Sequence, residues 1–213
     1  NLYEGTFGAD VAPSMVRTFI QQEGGTTPPY EDLRAFANEL AATPDDGLMD
    51  LYGRRFEGDF VFRYMAMDMI LGNIDGYVSR GNNFLFYHEP GPDHWWLIPW
   101  GVDEVWRVDV DVHDPVYDGG QLHDHGILYS RCAEVPDCLD AVDAALEDGI
   151  SMMEDRQLYQ YGTDLRARMR VLTRQDDAST ASPAITTREQ AQILTFIAHR
   201  PTQVRRYLKE RSP

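Results

Sequence analysis

The apolar residues of this chain fall into blocks of different period. Tyr30, Leu33, Phe36, Ala37 and Leu40 share one helical face, and the pattern predicts a second helix over Asp45–Tyr52. The strongest helical signal runs from Asp59 to Leu71. There Phe62, Met65, Ala66, Met69 and Ile70 recur with the period of one helix face. Val61, Tyr64, Met67 and Leu71 make the other side apolar too, so this helix belongs inside the domain. Its methionines Met65, Met67 and Met69 read as core rather than as a binding stripe. Gly72 and Asn73 end it, because either residue suits a left-handed C-terminal cap.

The period then changes. Phe84 and Phe86 alternate against Leu85 and Tyr87, which predicts a strand over Asn83–His88. His94–Trp100 forms a second strand, and Glu89–Asp93 joins the two as a hairpin loop. The order is buried helix, loop, hairpin, acidic turn. Ahead of it, the segment NLYEGTFG reads as a strand and turn, and Gly24–Pro29 as a loop. Behind it, helices are predicted over Leu139–Gly149 and Ser151–Arg170, then a polar linker over Gln175–Thr187. Two more helices, Arg188–Ala198 and Thr202–Leu208, are predicted to be interrupted at Pro201. There is no internal repeat. The fold class this predicts is α+β.

Composition narrows the function. The chain has 213 residues, enough for one domain with a real core or two small ones. The net charge of −16 disfavours nucleic acid and anionic lipid as partners. No apolar run reaches the length of a membrane span, and the densest, Phe60–Leu71, is broken by Arg63 and Asp68. The chain opens at Asn1 on residues that already look like the inside of a fold, which suggests a fragment or a processed chain. Lys209 is its single lysine among 19 basic residues. Cys132 and Cys138 have the wrong spacing for a CxxC motif. They fit either a short-loop disulfide in an exported protein or two free thiols flanking a turn at Pro136.

Three polar residues mark a candidate site. Phosphoryl transfer asks little covalent chemistry of a protein. It needs a group that positions the acceptor hydroxyl and oxygen ligands that hold Mg²⁺ on the phosphates. In kinase-like folds these groups stand on a loop after a buried helix, at the start of a strand and just past the next strand. Asp75, Asn83 and Asp103 occupy those three places. Each has a plainer reading. Asp75-Gly76 is a common turn pair, and Asp103 suits the N-cap of a helix starting at Glu104. Asn82 takes the place of Asn83 if the strand begins one residue earlier. Trp95, Trp96 and Trp100 could stack on an adenine, with core packing favoured for two of the three. The run Asp109, Asp111, His113, Asp114, His123, Asp124 and His125 is rich in metal-ligand types. It lacks the glycine and terminal Glu of an EF-hand loop, so a solvated loop is the favoured reading.

The stretch LGNIDGY…NNFLFYHEPGPDHWWLIPWGVDEVW resembles the core signature of the CotH kinase family, named for spore-coat protein H. The opening NLYEG and the closing FIAHRPTQVRRYL resemble that family as well. The resemblance implies an atypical protein-kinase-like fold, here mainly the helical C-lobe with a β-hairpin carrying the metal site. Residues 1–29 would be a remnant of the N-terminal lobe and its connecting loop, and 30–213 the C-lobe. It further implies transfer of phosphoryl groups from ATP to protein hydroxyls with Mg²⁺ (or Mn²⁺), by an exported bacterial protein at or outside the cell surface. Carried over, Asp75 is the catalytic residue, Asn83 and Asp103 hold the metal, and Asn82 and Trp100 are candidates for contacting the nucleotide. Two departures stand out. Gly101 occupies a place where many members carry an Asp. The lysine expected on the α/β-phosphates is missing, since Lys209 lies at the far end of the chain. The alternative reading is therefore a catalytically impaired surface or coat protein that keeps the fold. A carbohydrate-binding module using exposed Trp residues is a third reading, supported by composition alone.

Overall fold

A computed structural model describes residues 1–24, 29–106, 125–175 and 182–211. It is α+β, with one antiparallel sheet and eight helices among those residues. The strands are β1 (Leu2–Gly5), β2 (Phe19–Glu23), β3 (Phe84–Glu89) and β4 (His94–Pro99), in the order β2-β1-β3-β4. The N-terminal strand is therefore internal to the sheet. Leu2 lies opposite Tyr87 and Gly5 opposite Phe84. Alternation sorts the two faces. Tyr3, Phe19, Phe84, Phe86, Trp95 and Leu97 point into the core, while Tyr87, Trp96 and Ile98 lie on the outer face. The close packing of the inner face requires Gly5, because a Cβ there would lie 2.1 Å from the Phe84 ring.

The helices cover the inner face. They are α1 (Glu31–Ala42), α2 (Leu48–Arg55), α3 (Phe60–Leu71), α4 (Tyr77–Arg80), α5 (Ile127–Glu134), α6 (Pro136–Asp155), α7 (Leu158–Gln175) and α8 (Pro183–Arg211). The expected helix over Asp59–Leu71 is α3. It is apolar nearly all round and central, packing most extensively on α6. Its ends are fixed by chemistry rather than by polarity. Gly72 takes the left-handed conformation at φ 58°. The buried Arg200 of α8 donates Nε to the Ile70 carbonyl at 3.0 Å and a second nitrogen to the Met69 carbonyl. Trp106 closes the Leu71 carbonyl through its backbone N–H at 2.8 Å.

Three helix boundaries differ from the sequence expectation. The last helix starts at Pro183, inside the predicted linker, rather than at Arg188. No helix ends at Gly149, and α6 runs through it to Asp155. That glycine lets α3 approach closely, since a Cβ would sit 2.4 Å from Ile70 Cδ1. The break falls instead at Gln157, at φ 50°. Nor does Pro201 interrupt the last helix. α8 is continuous through it, and Arg200, Pro201, Val204 and Tyr207 are all buried. Tertiary burial outweighs the one hydrogen bond that proline removes. The strand β2 was not anticipated at all. Cys132 and Cys138 form a disulfide that ties α5 to α6. Asp109, Asp111, His113, Asp114, His123 and Asp124 lie outside the described residues.

Candidate active site

The loop between α3 and β3 is built from its buried side. Asp68, in the last turns of α3, is fully buried. Its Oδ1 accepts from Asn73 Nδ2 at 2.9 Å and its Oδ2 from the Val78 backbone N–H at 3.1 Å. Ser79 Oγ donates to the Asn73 carbonyl at 2.7 Å. Gly76 closes over this pair so tightly that a Cβ would meet Asn73 Nδ2 at 2.4 Å and Asp68 Oδ2 at 2.7 Å. Burial pushes the Asp68 carboxyl up to about 6, partly offset by the donated hydrogen bonds.

A second carboxylate holds the loop from the other side. Asp10 accepts from Tyr77 OH at 2.9 Å and from the backbone N–H of Val11 and of Ile127, each at 2.7 Å. Burial raises it, too, to about 6. His125 Nδ1 donates to the Val78 carbonyl at 3.1 Å, and Gly126 N to the same carbonyl at 3.3 Å. The start of α5 is thus strapped to α4.

This frame presents Asp75 at the loop's outer side, half-buried. Asn82 Nδ2 donates to Asp75 Oδ1 at 3.0 Å, and Asn83 Nδ2 to Asp75 Oδ2 at 2.6 Å. Both asparagines therefore reach the same carboxylate. β3 begins only at Phe84, and Asn83 stands just before it with φ 50°, a left-handed conformation that Asn tolerates. Asn83 Nδ2 also donates to the Gly101 carbonyl at 3.3 Å, and the Asn83 carbonyl accepts from Trp100 N at 3.1 Å. The two ends of the hairpin are closed on each other beside Asp75. Gly101 is left-handed at φ 56°, and a Cβ there would lie 3.1 Å from Asn83 Cγ.

Asp103 stands two residues beyond Gly101 in an exposed turn. It makes no hydrogen bond to Asp75, Asn82 or Asn83, and residues 102–106 form no helix for it to cap. Of the tryptophans, Trp95 is buried between Phe86 and Phe36, Trp96 packs edge-on against Phe60, and Trp100 is 57% exposed beside the cluster. The structure thus gathers Asp75, Asn82 and Asn83, with Trp100 adjacent. Asp103 is on the same loop end but outside that hydrogen-bonded group.

Asp68, Asn73 and Asp10 were not picked out from the sequence. Asp68 carried one usable signal, a lone carboxylate on a helix otherwise apolar nearly all round, since a buried Asp requires partners. Asp10 carried none, because the partners that matter to the loop, Tyr77 OH and the Ile127 backbone N–H, lie 67 and 117 residues on.

A family model described as CotH kinase protein matches residues 8–204. The chain belongs to the CotH kinase family. The match includes all of the loop, the hairpin and the acidic turn, and it supports a kinase-like function for this member. No curated protein matches the chain. As a CotH kinase family member the chain implies a nucleotide and a divalent cation in general terms. Its donor set near Asp75 consists of carboxylate, amide and backbone oxygens, the hard ligands that Mg²⁺ takes. Among the described residues no three His, Cys, Asp or Glu side chains converge.

Proposed function

We propose that this CotH kinase family member transfers the γ-phosphoryl group of ATP to a hydroxyl of a protein substrate, with the chemistry centred on Asp75. The observation that carries the reading is the convergence of Asn82 and Asn83 on the Asp75 carboxylate at the mouth of the hairpin. When bound, Mg²⁺ would neutralise phosphate charge and hold the transferred group in line. Asp75 orients the acceptor hydroxyl and accepts its proton. The paired amides keep its two oxygens fixed, and the Asp68–Asn73 frame keeps the loop from relaxing. Asn83 and Asp103 are the residues that would hold the metal. Trp100, exposed beside them, offers a flat apolar surface to a nucleotide base. On this reading residues 1–29 are the remnant of an N-terminal lobe, and the acceptor is met outside the cell or at its surface.

The test is Mg-ATP-dependent phosphorylation or ATP hydrolysis by the purified protein. Asp75→Asn, nearly isosteric, lowers the rate by about a hundredfold or more. Asp103→Asn lowers metal affinity. If both variants match the parent, the assignment is wrong.

A second reading has its own observation. Gly101 adopts a left-handed backbone and abuts Asn83, so the carboxylate many relatives carry there is absent and is not accommodated without strain. Lys209, in the last turn of α8, is the single lysine. On that reading the chain is a surface or coat protein that retains the fold without turnover. Mg-ATP thermal shift separates the two. A shift abolished by Asp103→Asn supports the enzyme, and its absence supports the structural role.

A further inference from the structure

At the turn of the β3–β4 hairpin, the opposite end of β3 from Asn83, one imidazole stands between two carboxylates. His88 is 8% exposed. Its Nδ1 lies 2.8 Å from Asp32 Oδ2 of α1, and its Nε2 lies 2.9 Å from Asp93 Oδ1 of the turn. The ring is stacked on Trp95, with centroids 4.4 Å apart and planes at 13°. None of these groups belongs to the candidate active site.

Both carboxylates are ionised, so both can only accept. Burial alone would raise Asp32. Hydrogen bonds from His88, from Asn1 Nδ2 at 2.6 Å, from Tyr3 OH at 2.5 Å and from the Leu33 N–H at 2.8 Å hold it below the usual carboxylate range. Burial works the same way on Asp93, and there His88 and the Arg55 guanidinium outweigh it. Arg55, from α2, also meets Glu39 Oε2 of α1 at 2.6 Å. From β1, the Asn1 amino nitrogen donates to the His88 main-chain carbonyl at 3.0 Å.

A ring that bridges two acceptors must carry both of its protons. Neutral imidazole has a single N–H, and its other nitrogen would turn a lone pair towards a carboxylate. Burial disfavours the imidazolium, but Asp32 and Asp93 outweigh it and hold His88 above the ordinary 6.5. The stack on the Trp95 face favours the cation as well.

The two bonds are not equally easy to lose. The Asp32 side chain is 10% exposed and the Asp93 side chain 55%. Asp32 would lose a donor where water replaces it poorly, whereas Asp93 can be hydrated and keeps Arg55. The proton that leaves is therefore the one on Nε2. Asp93 has φ 61°, a left-handed conformation less favoured for an L-residue, so its turn relaxes once the side chain is let go.

We propose that His88 is a pH-sensitive latch on the hairpin turn. As the imidazolium it bridges Asp32 and Asp93 and pins the turn to α1. On losing its Nε2 proton it keeps Asp32 and releases Asp93. The stability the latch contributes is complete below about 6.5 and is lost as pH rises through the titration of His88 in the folded protein. The core stays closed throughout, because Trp95 and Phe86 remain packed on each other and on Phe36. The part that opens is the turn from Pro90 to Asp93.

NMR of the full chain across a pH series from about 5 to 10 tests this. The expected result is a His88 ring that titrates above 6.5, with its neutral form protonated at Nδ1 in long-range ¹H–¹⁵N spectra. Backbone order parameters of Gly91 and Asp93 fall with the same midpoint, from about 0.85 towards 0.6. Asp93→Asn, at an exposed position, removes one of the two charges and lowers the His88 midpoint. A His88 that titrates at or below 6.5 overturns the proposal, and so does a neutral ring protonated at Nε2. A turn whose order does not follow His88, or an Asp93→Asn protein with an unchanged midpoint, overturns it as well. Each result is independent of phosphoryl transfer.

Discussion

Gly76→Ala adds a single methyl group at the most confined point of the loop. Gly76 has φ −91° and ψ −177°, so the backbone itself tolerates alanine. The obstacle is space. The new Cβ would lie 2.4 Å from Asn73 Nδ2, 2.8 Å from Asn73 Cγ and 2.7 Å from Asp68 Oδ2. Neither side chain has room to retreat, since Asn73 and Asp68 are both buried. Displacing them breaks the Asn73–Asp68 hydrogen bond or the one from Val78 N. A bond to a charged acceptor is worth about 1.5–3 kcal/mol, and overpacking adds about 1–3 kcal/mol. The sum is roughly 2.5–6 kcal/mol. For a chain of this size it lowers Tm by roughly 10 °C. Differential scanning calorimetry reads the shift directly. Gly53→Ala is the control, because nothing lies within 4 Å of its Cβ. In the interior of α2 it stabilises by up to about 1 kcal/mol. A Gly76→Ala protein that melts with the parent would refute the idea that the Asp68–Asn73 frame is rigid.

The same frame predicts a pH dependence. Burial raises Asp68 and Asp10 to about 6 in the folded protein, against an ordinary aspartate value of 3.8. The folded state then binds more protons than the unfolded one, so stability falls as pH rises from about 4 to 6, by roughly 3 kcal/mol per group. Urea midpoints across that range should decline, and Asp68→Asn should flatten the decline by its own share. Reduction of Cys132–Cys138, which closes a loop of sequence separation 6, should cost about 2 kcal/mol and lower Tm by several degrees. A thermal melt with and without dithiothreitol measures it. Arg200→Ala leaves the Met69 and Ile70 carbonyls without their buried partner and should cost about 3 kcal/mol or more in urea unfolding.

Much of the fold was legible because long periodic segments report burial. α3, with apolar residues nearly all round, and the alternating β3–β4 hairpin are the two clearest signals, and both are where expected. The failures share a cause, which is that local propensity was overridden from a distance. Pro201 should end a helix but is carried inside α8 by its buried neighbours. Gly149 should weaken α6 but serves a close approach to Ile70. β2 is short, glutamine-rich and flanked by turn residues, and it exists because β1 offers it an edge. At the candidate site, Asp75 and Asn83 were legible together because nine residues span them. Asn82 stood only as the alternative to Asn83, and Asp103 was grouped with them but lies outside their hydrogen bonds. The frame behind them was not, since Asp10 and Arg200 act on the loop from opposite ends of the sequence.

The position of β1 inside the sheet has a consequence for how the molecule assembles. β1 is flanked by β2 and β3, and its partners in β3 are about 80 residues away along the chain. During synthesis the first strand can hold β2 early, but its other edge stays open until β3 has left the ribosome. Pairing over such a separation is slow to nucleate, because loop closure must precede the contacts that reward it. The loop bearing Asp75 lies within the segment being closed. The geometry of Asp75 and Asn83 thus waits on that closure, and a nascent chain stalled before Glu89 would present an unpaired strand edge while α3 still lacks α6, its main packing partner.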